Sequence, residues 1–156
     1  MENQTDIHWE FLDFPALTTL KLYAILRARA EVFITEEKVA SSEIDGLDLK
    51  TYHLVGWSEP NVVAAYLRLI PPGEKYQEPS FGRVLTSVPY RRKGLGRKLT
   101  QLAIEHARKL YPKCAIRISA QYYLEKFYQE FGFQTVSGVY DDVGIPHIDM
   151  LLAANK

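Results

Sequence analysis

Hydrophobic positions recur along the chain with two different periods. Spacings of three and four residues predict an amphipathic helix from Thr18 to Ile34 and another from Gly96 to Leu110, which Tyr111-Pro112 ends. The residues that keep the first of these spacings are Leu22, Ile25, Leu26, Arg29, Val32 and Phe33. A third helix is expected from about Tyr122 to Phe131, with Gly132 as the residue that follows its C-terminus.

Apolar runs with strand composition separate these helices. In chain order the runs are His8 to Phe14, Tyr52 to Trp57, Val62 to Ile70, Phe81 to Val88, Cys114 to Ser119, Phe133 to Tyr140 and Ile148 to Leu152. The second, third and fourth runs follow one another directly, which predicts an antiparallel meander. The long helix after the fourth run predicts that the fifth lies parallel to it. We therefore expect one mixed α/β domain over residues 1–156, with a central mixed sheet of about six to seven strands flanked by helices.

The composition of the chain argues against several classes of function and binding site. The 156 residues include 19 Lys and Arg and 19 Asp and Glu, and the basic residues are clustered locally, which argues against a nucleic-acid partner. The single cysteine, Cys114, excludes an internal disulfide and a cysteine-based zinc site. The polar stretch from Met1 to Asp6 has no signal-peptide core, and no apolar run is long enough to span a membrane. We expect a cytoplasmic protein with no membrane partner.

The densest positive charge lies between the fourth apolar run and the second helix. The residues there are Arg91, Arg92, Lys93, Gly94, Leu95, Gly96, Arg97 and Lys98. A helix N-terminus carries about +0.5 of an elementary charge and normally attracts acids, so cations crowded there are locally unfavourable. An anion held by the free backbone N–H groups would relieve this, and glycine lets it approach closely. We interpret the turn as an anion site in preference to a solvated basic loop.

The glycines of this turn distinguish between the known phosphate-binding motifs. The dinucleotide-binding fingerprint lacks its third glycine, because Leu99 stands there, and the P-loop lacks the Lys-Ser or Lys-Thr that should follow Gly96. The remaining pattern, Arg-x-x-Gly-x-Gly from Arg91 to Gly96, resembles the acyl-CoA-binding motif of the GNAT superfamily of N-acetyltransferases. The order of predicted helices and strands is similar to that family's, and the resemblance covers nearly the whole chain.

Further stretches resemble the ElaA-like subgroup of this superfamily. They are Trp9, Leu26 to Phe33, Asp45 to Asp48, Gly82 to Val84 and Gly144 to Met150. The stretch from Phe127 to Phe133 is similar to the family's Tyr-x-x-x-Gly-Phe signature. The chain departs from the subgroup at Glu36-Glu37, where the subgroup has Glu-Gln, so the resemblance assigns no role to that pair.

The resemblance implies a GNAT-like fold and an enzyme that uses acetyl-CoA as co-substrate, without a metal. The acetyl group would pass to a primary amine of a small molecule or peptide by direct attack in a ternary complex. The pyrophosphate would lie on the amides of Arg92 to Gly96, and the pantetheine arm would pair with the backbone of Thr86, Ser87 and Val88. The expected cofactor-binding residues are Thr86, Ser87, Val88, Arg91, Arg92, Lys93, Gly94, Leu95, Gly96 and Arg97. A homodimer is compatible with the resemblance.

Two residues are candidates for the chemical step. Tyr128 matches the family's general acid, and a phenol of pKa ~10 is a competent proton donor to a departing thiolate of pKa ~8.5. Other aromatic residues of the third helix, Tyr122, Tyr123 and Phe127, are available for the core. His147 could take the proton of the amine, or could only bond a backbone carbonyl. The other candidate bases are Glu36, Glu37, Asp141 and Asp142.

The remaining polar residues receive structural interpretations. The acidic segment from Glu36 to Asp48 resembles a solvated loop, and as a negative rim it would attract a cationic amine. His53 and His106 are expected to be structural, Cys114 a small core residue, and Arg68 and Arg83 members of ion pairs. Two other functions stay open: an acyl-CoA sensor with this fold and no catalysis, and a nucleic-acid-binding module that uses the basic turn.

Overall fold

Eight strands form two antiparallel sheets in the computed structural model, which describes residues 6–38 and 42–155. The strands are β1 (His8–Asp13), β2 (Tyr52–Glu59), β3 (Val62–Ile70), β4 (Ser80–Thr86), β5 (Ile116–Gln121), β6 (Gln134–Thr135), β7 (Tyr140–Asp142) and β8 (Ile145–Leu152). The first sheet has the order β1-β2-β3-β4, which confirms the predicted meander and adds β1 to its edge. The second has the order β5-β8-β6, with β7 also paired to β8. The N-terminal residues before Asp6 lie outside the described part.

The helices lie close to the predicted positions. They are α1 (Thr19–Arg29), α2 (Leu95–Leu110) and α3 (Glu125–Gln129), and α1 continues as a π-helix over Ala30–Glu36. Thr18 caps α1, because its hydroxyl accepts a hydrogen bond of 3.1 Å from the amide of Lys21. The third predicted helix is shorter than expected, since Tyr122–Leu124 forms a 3₁₀ turn. None of the helices within the described ranges is long and apolar enough to cross a membrane.

Strand β3 lies at the centre of the first sheet and is buried on both faces. Every residue from Val63 to Ile70 is buried, which explains an apolar run that only Arg68 interrupts. Helix α1 packs on one face through Ile25, and α2 packs on the other through Leu99 and Ala103. The core on the α2 side also includes residues of the second sheet, such as Met150, so this helix joins the two sheets.

Strands β4 and β5 are neighbours that do not form a ladder. One backbone hydrogen bond of 3.0 Å, from the amide of Arg117 to the carbonyl of Pro79, joins the chain segments at their start, and every ladder within the described residues is antiparallel. Beyond this hydrogen bond a gap separates the two strands, and the prediction that β5 lies parallel to β4 stays a prediction. A bulge in β4 explains the gap: Arg83 has a φ of +53°, and the register with β3 shifts beside it. A bulge bends and twists the strand that carries it.

The C-terminal strands also differ from their predicted bounds. The run from Phe133 to Tyr140 is not one strand but is interrupted between β6 and β7. In the interruption the hydroxyl of Ser137 accepts a hydrogen bond of 2.8 Å from the amide of Asp149 in β8. β8 begins at Ile145, since Val143 (φ +51°) and Gly144 (φ +83°) form a tight turn that joins it to β7.

Candidate active site

A cavity of about 370 Å³ lies between the diverging strands β4 and β5. Residues Phe81 to Val84 line it from β4, and residues Ile118 to Gln121 line it from β5. The end of the π-helix adds Phe33 and Glu37, and the β7–β8 hairpin contributes His147 on another wall. The bulge in β4 thus opens a space of the size that small-molecule sites occupy.

The N-terminus of α2 presents a row of free amides. Gly94 precedes the helix with a φ of +77°, and no side chain caps the helix. The amide of Lys98 donates to the carbonyl of Gly94 (3.1 Å), which closes the first turn. The N–H groups of Leu95 to Arg97 therefore have no acceptor within the helix. This geometry suits an anion, as the sequence interpretation of the turn requires.

The cations around this turn are not all free. Arg91 forms a bidentate ion pair with Glu36 (2.8 and 3.1 Å), and Arg97 pairs with Glu130 (2.6 Å). No acid lies near these arginines in sequence, so the folding of the chain supplies their partners. Arg92, Lys93 and Lys98 form no ion pair with another described residue. The positive charge left for a ligand therefore belongs mainly to these three side chains.

The backbone from Thr86 to Val88 is largely engaged within the protein. The amide of Ser87 donates to the carbonyl of Ala64 (2.9 Å), and the carbonyl of Ser87 accepts from the amide of Tyr90 (2.9 Å). The carbonyl of Thr86 accepts a hydrogen bond of 3.0 Å from Arg91 Nε. By contrast, Gly82 lines the cavity with backbone alone. The role expected for Thr86, Ser87 and Val88 with a pantetheine arm stays a prediction.

Tyr128 is buried in the cavity wall, with 5% of its surface exposed. Its ring makes edge contacts with Phe127 and Phe133, at centroid distances of 5.1 and 5.9 Å. Burial raises the pKa of Tyr128 far above the usual range for a phenol, so the hydroxyl stays protonated. The expected core tyrosines are the exposed ones, since Tyr122 and Tyr123 are 48% and 75% exposed. The candidate acid is thus also the core residue of this helix.

His147 has one ring nitrogen bonded and one free. Its Nδ1 lies 2.8 Å from the carbonyl oxygen of Ile145, so this nitrogen carries the proton and donates it. Nε2 then keeps its lone pair in the neutral ring. The bond to the backbone carbonyl orients a ring that lines the cavity. Its role as a base stays a prediction.

Among the candidate carboxylates, Glu37 and Asp142 line the cavity. Burial raises the pKa of Glu37, against the opposing effect of a hydrogen bond from Gln121, which brings this carboxyl closer to the pH range in which a general base works. Glu36 forms an ion pair with Arg91. In the hairpin turn, Oδ2 of Asp141 accepts a hydrogen bond of 3.2 Å from the amide of Gly144. The structure therefore favours Glu37 over Glu36 as a base.

Three acids of the segment from Glu36 to Asp48 are neutralised by arginines. The arginine–acid cluster consists of Arg29, Arg68, Arg83, Glu43, Asp45 and Asp48. Arg29 is fully buried and contacts Glu43 (2.7 Å) and Asp48 (2.6 Å). Three positive and three negative charges balance there, so the expectation of a solvated negative rim is wrong for these residues. The expectation that Arg68 and Arg83 are paired is confirmed.

Comparison with known proteins decides the family. The model of the acetyltransferase (GNAT) domain matches residues 25–154. The chain belongs to the GNAT acetyltransferase family. A Synechocystis protein of the UPF0039 group is 41% identical over 146 residues, covering 94% of this chain and 95% of that protein.

Two solved structures of the GNAT fold are similar over nearly their whole length. An acyl-CoA N-acyltransferase from Pseudomonas aeruginosa has a TM-score of 0.90 at 38% identity, covering 95% of this chain and 100% of that one. ElaA from Escherichia coli has a TM-score of 0.88 at 33% identity, covering 94% and 99%. The resemblance to the ElaA-like subgroup and the fold class are therefore confirmed. The family supports acyl transfer from an acyl-CoA to an acceptor.

The other histidines of this GNAT protein have structural contacts. His53 is fully buried, with Nδ1 2.7 Å from the hydroxyl of Tyr66 and Nε2 3.0 Å from the carbonyl of Asp48. His106 stacks on Phe11 at 3.9 Å. Cys114 is half-buried in the turn before β5 and not in a strand. Within residues 6–38 and 42–155, no group of three or more His, Cys, Asp or Glu could hold a metal ion.

Sequence reasoning missed Arg29, although it left a signal. Arg29 keeps the spacing of the apolar stripe of α1, and a charged residue on a buried stripe requires a buried partner. The acids that supply it, Glu43 and Asp48, lie in a segment without hydrophobic periodicity. The stripe could have predicted the ion pair, but not which acids form it.

Proposed function

We propose that this GNAT protein transfers the acetyl group of acetyl-CoA to a primary amine of a small molecule or peptide, in a ternary complex. The observation that carries the proposal is the cavity between β4 and β5, which Tyr128 and His147 line. The strand β4 leads into α2, whose first turn offers free amides and unpaired cations. These donors fit a diphosphate, so the two parts of the site suit the two ends of acetyl-CoA.

The side chains divide the proton transfers between them. A primary amine attacks only when neutral, and Nε2 of His147 or the carboxylate of Glu37 accepts its proton. The hydroxyl of Tyr128 donates its proton to the sulfur that leaves, so that CoA departs as the free thiol, and Tyr128 regains a proton from solvent. The amides of Leu95 to Arg97 hold the diphosphate, with Arg92, Lys93 and Lys98 as counterions.

Release of free thiol from acetyl-CoA across a panel of primary amines tests this function. We expect turnover that requires an amine and saturates with acetyl-CoA, and a mass increase of one acetyl group on the amine product. Saturable binding of acetyl-CoA without turnover for any amine would assign the chain to the sensor class instead. Binding to mixed-sequence DNA that weakens steeply with salt, without affinity for CoA, would favour the nucleic-acid module.

Substitution of Gly94 by Ala tests the anion site at α2. Gly94 has a φ of +77°, which costs an alanine about 1 kcal/mol of stability, and a Cβ there meets no protein atom within 4 Å. The methyl group would therefore enter space that the protein leaves open next to the first turn of α2. We expect the Kd for CoA, measured by calorimetry, to rise about tenfold, which corresponds to about 1.4 kcal/mol.

Gly73→Ala is the matched control. Gly73 has a φ of +87°, and a Cβ there also meets nothing within 4 Å, but the residue lies in the loop between β3 and β4. We expect a similar loss of stability with unchanged affinity for CoA. Equal affinities in the two variants would place the diphosphate elsewhere.

A further inference from the structure

The walls of the cavity carry charges of both signs. Lys75 and Arg83 contribute positive charge, and Glu37 and Asp142 contribute negative charge. Glu43 also lines the cavity, but its carboxylate is bound by Arg29 and Arg83. A site for a purely cationic amine would have no use for cations on its wall. The positive side chains therefore help to indicate which charges the acceptor carries.

Arg83 is held rigidly with donors to spare. Its Nε lies 3.0 Å from Glu43, and its Nη2 lies 3.5 Å from Asp45. No hydrogen-bond partner of Nη1 is found within the described residues. The backbone of Arg83 has a φ of +53°, a strained conformation that is found preferentially at functional sites. The arginine–acid cluster thus orients a guanidinium group at the cavity and leaves part of it available.

Lys75 lies in the same positive region. Its ammonium group is 5.3 Å from the centre of the Tyr76 ring, and no carboxylate of the described residues lies within ion-pair distance. Desolvation at the cavity and the charges of Arg68 and Arg83 lower the pKa of Lys75, against the opposing effect of Asp142. The ammonium group thus lacks a carboxylate partner among the described residues, and an anionic ligand would supply one.

A separate group of side chains suits the amine. Glu37, His147 and Gln121 all line the cavity, and the side chains of Gln121 and His147 both act to lower the pKa of Glu37, against the larger effect of burial. This group contains both candidate bases. A ligand with an amine at one end and a negative group at the other would satisfy both regions.

We propose that the acceptor is a small amino acid-like molecule, whose carboxylate binds Lys75 and Arg83 while its amine faces Glu37 and His147. This inference rests on the acetyl transfer proposed above. It replaces the cationic amine expected from the acidic segment, because the acids of that segment are neutralised within the arginine–acid cluster. A cavity of about 370 Å³ is large enough for such a molecule.

Acceptors that differ only in the charge of one group test the proposal. An α-amino acid and an ω-amino acid are each compared with their primary amides, and 1,4-diaminobutane serves as the dicationic compound. We expect kcat/KM for the preferred amino acid to exceed that for its amide at least tenfold, because a charge-assisted hydrogen bond is lost in the amide. The diamine should be the poorest acceptor.

The variant Lys75→Gln connects this preference with the cavity. Lys75 lies outside the arginine–acid cluster and forms no ion pair with a described carboxylate, so its replacement should not impair folding. We expect the ratio of kcat/KM between the amino acid and its amide to fall about tenfold. Lys113→Gln, at an exposed lysine between α2 and β5, should leave the ratio unchanged.

The outcomes separate this inference from the proposed function. If the amide or the diamine is used as well as the amino acid, or if Lys75→Gln leaves the ratio unchanged, the inference is overturned while amine-dependent thiol release upholds acetyl transfer. If no amine releases thiol, the proposed function fails. The affinities of the same compounds for the protein with bound CoA, measured by calorimetry, then decide the inference: a tenfold preference for the amino acid supports it, and equal affinities overturn it.

Discussion

Replacing Tyr128 by Phe is expected to lower kcat about a hundredfold with little change in the affinity for acetyl-CoA. The substitution removes the hydroxyl from the cavity wall and keeps the ring contacts with Phe127 and Phe133. Proton donation in the transition state contributes about 10²- to 10⁴-fold, and the low end applies because the raised pKa of Tyr128 makes it a weak acid. Thiol release at saturating substrates gives kcat, and calorimetry gives the Kd.

Tyr123→Phe is the control for this experiment. Tyr123 lines the same cavity but is 75% exposed, and its loss should change kcat by no more than about twofold. The pH profile gives a further criterion. Because burial raises the pKa of Tyr128, deprotonation of this residue should cause no fall in kcat between pH 8 and pH 10. Equal losses in the two variants would remove Tyr128 from the chemical step.

Replacing Arg29 by Met is expected to lower the free energy of unfolding by about 3–5 kcal/mol. Arg29 is fully buried, and the apolar side chain of Met leaves Glu43 and Asp48 in the interior without their common cation. Urea unfolding followed by circular dichroism measures the change. A variant as stable as the parent protein would show that the remaining arginines compensate for both carboxylates.

Arg27→Met is the matched control, two residues away on the exposed face of α1. Arg27 pairs with Glu31 at 3.2 Å, and the two side chains are 70% and 63% exposed. An exposed pair of this kind contributes about 0.3–0.5 kcal/mol, so the variant should remain close to the parent protein. A large loss here would mean that the effect of Arg29→Met reflects α1 in general and not the buried charges.

Acid should bring Arg29→Met and the parent protein closer together in stability. Burial by itself raises the pKa of Asp48, but the hydrogen bond and charge of Arg29, together with Arg68, outweigh burial and lower it. The stabilisation is therefore complete above the unfolded pKa of about 3.9, and it is lost as pH falls through the lower folded value. The difference between the two unfolding free energies should be constant above about pH 5 and should shrink as pH falls below about 3.9. A difference that does not shrink in acid would contradict the assignment.

The elements with regular periodicity could be predicted from the sequence. The meander and α2 lie within a few residues of their expected bounds, because repeated apolar spacing fixes the buried face. The bulge at Arg83 could not be predicted, because a positive φ is expected at glycine and not at arginine. The bulge lies beside the gap between β4 and β5, so the periodicity of the two strands did not indicate where the cavity lies.

The candidate site, too, could be predicted from the sequence only in part. The 3₁₀ turn at Tyr122–Leu124 has a tighter period than an α-helix, so counting along one helix from Tyr122 gives the wrong buried face, and Tyr128 points inward instead of Tyr123. The free amides of α2 follow from the local sequence around Gly94. The pair between Arg91 and Glu36 does not, because these residues are 55 positions apart.

The arginine–acid cluster constrains how this protein can diverge. Its members come from α1, the segment before β2, and strands β3 and β4, and each shares a counterion with another. A mutation that removes one charge leaves a buried charge without its counterion. We therefore expect the loss of Arg29 to be tolerated only together with the loss of an acid at Glu43 or Asp48. On the same grounds we expect these positions to change together among relatives, with Arg83 at the cavity among them.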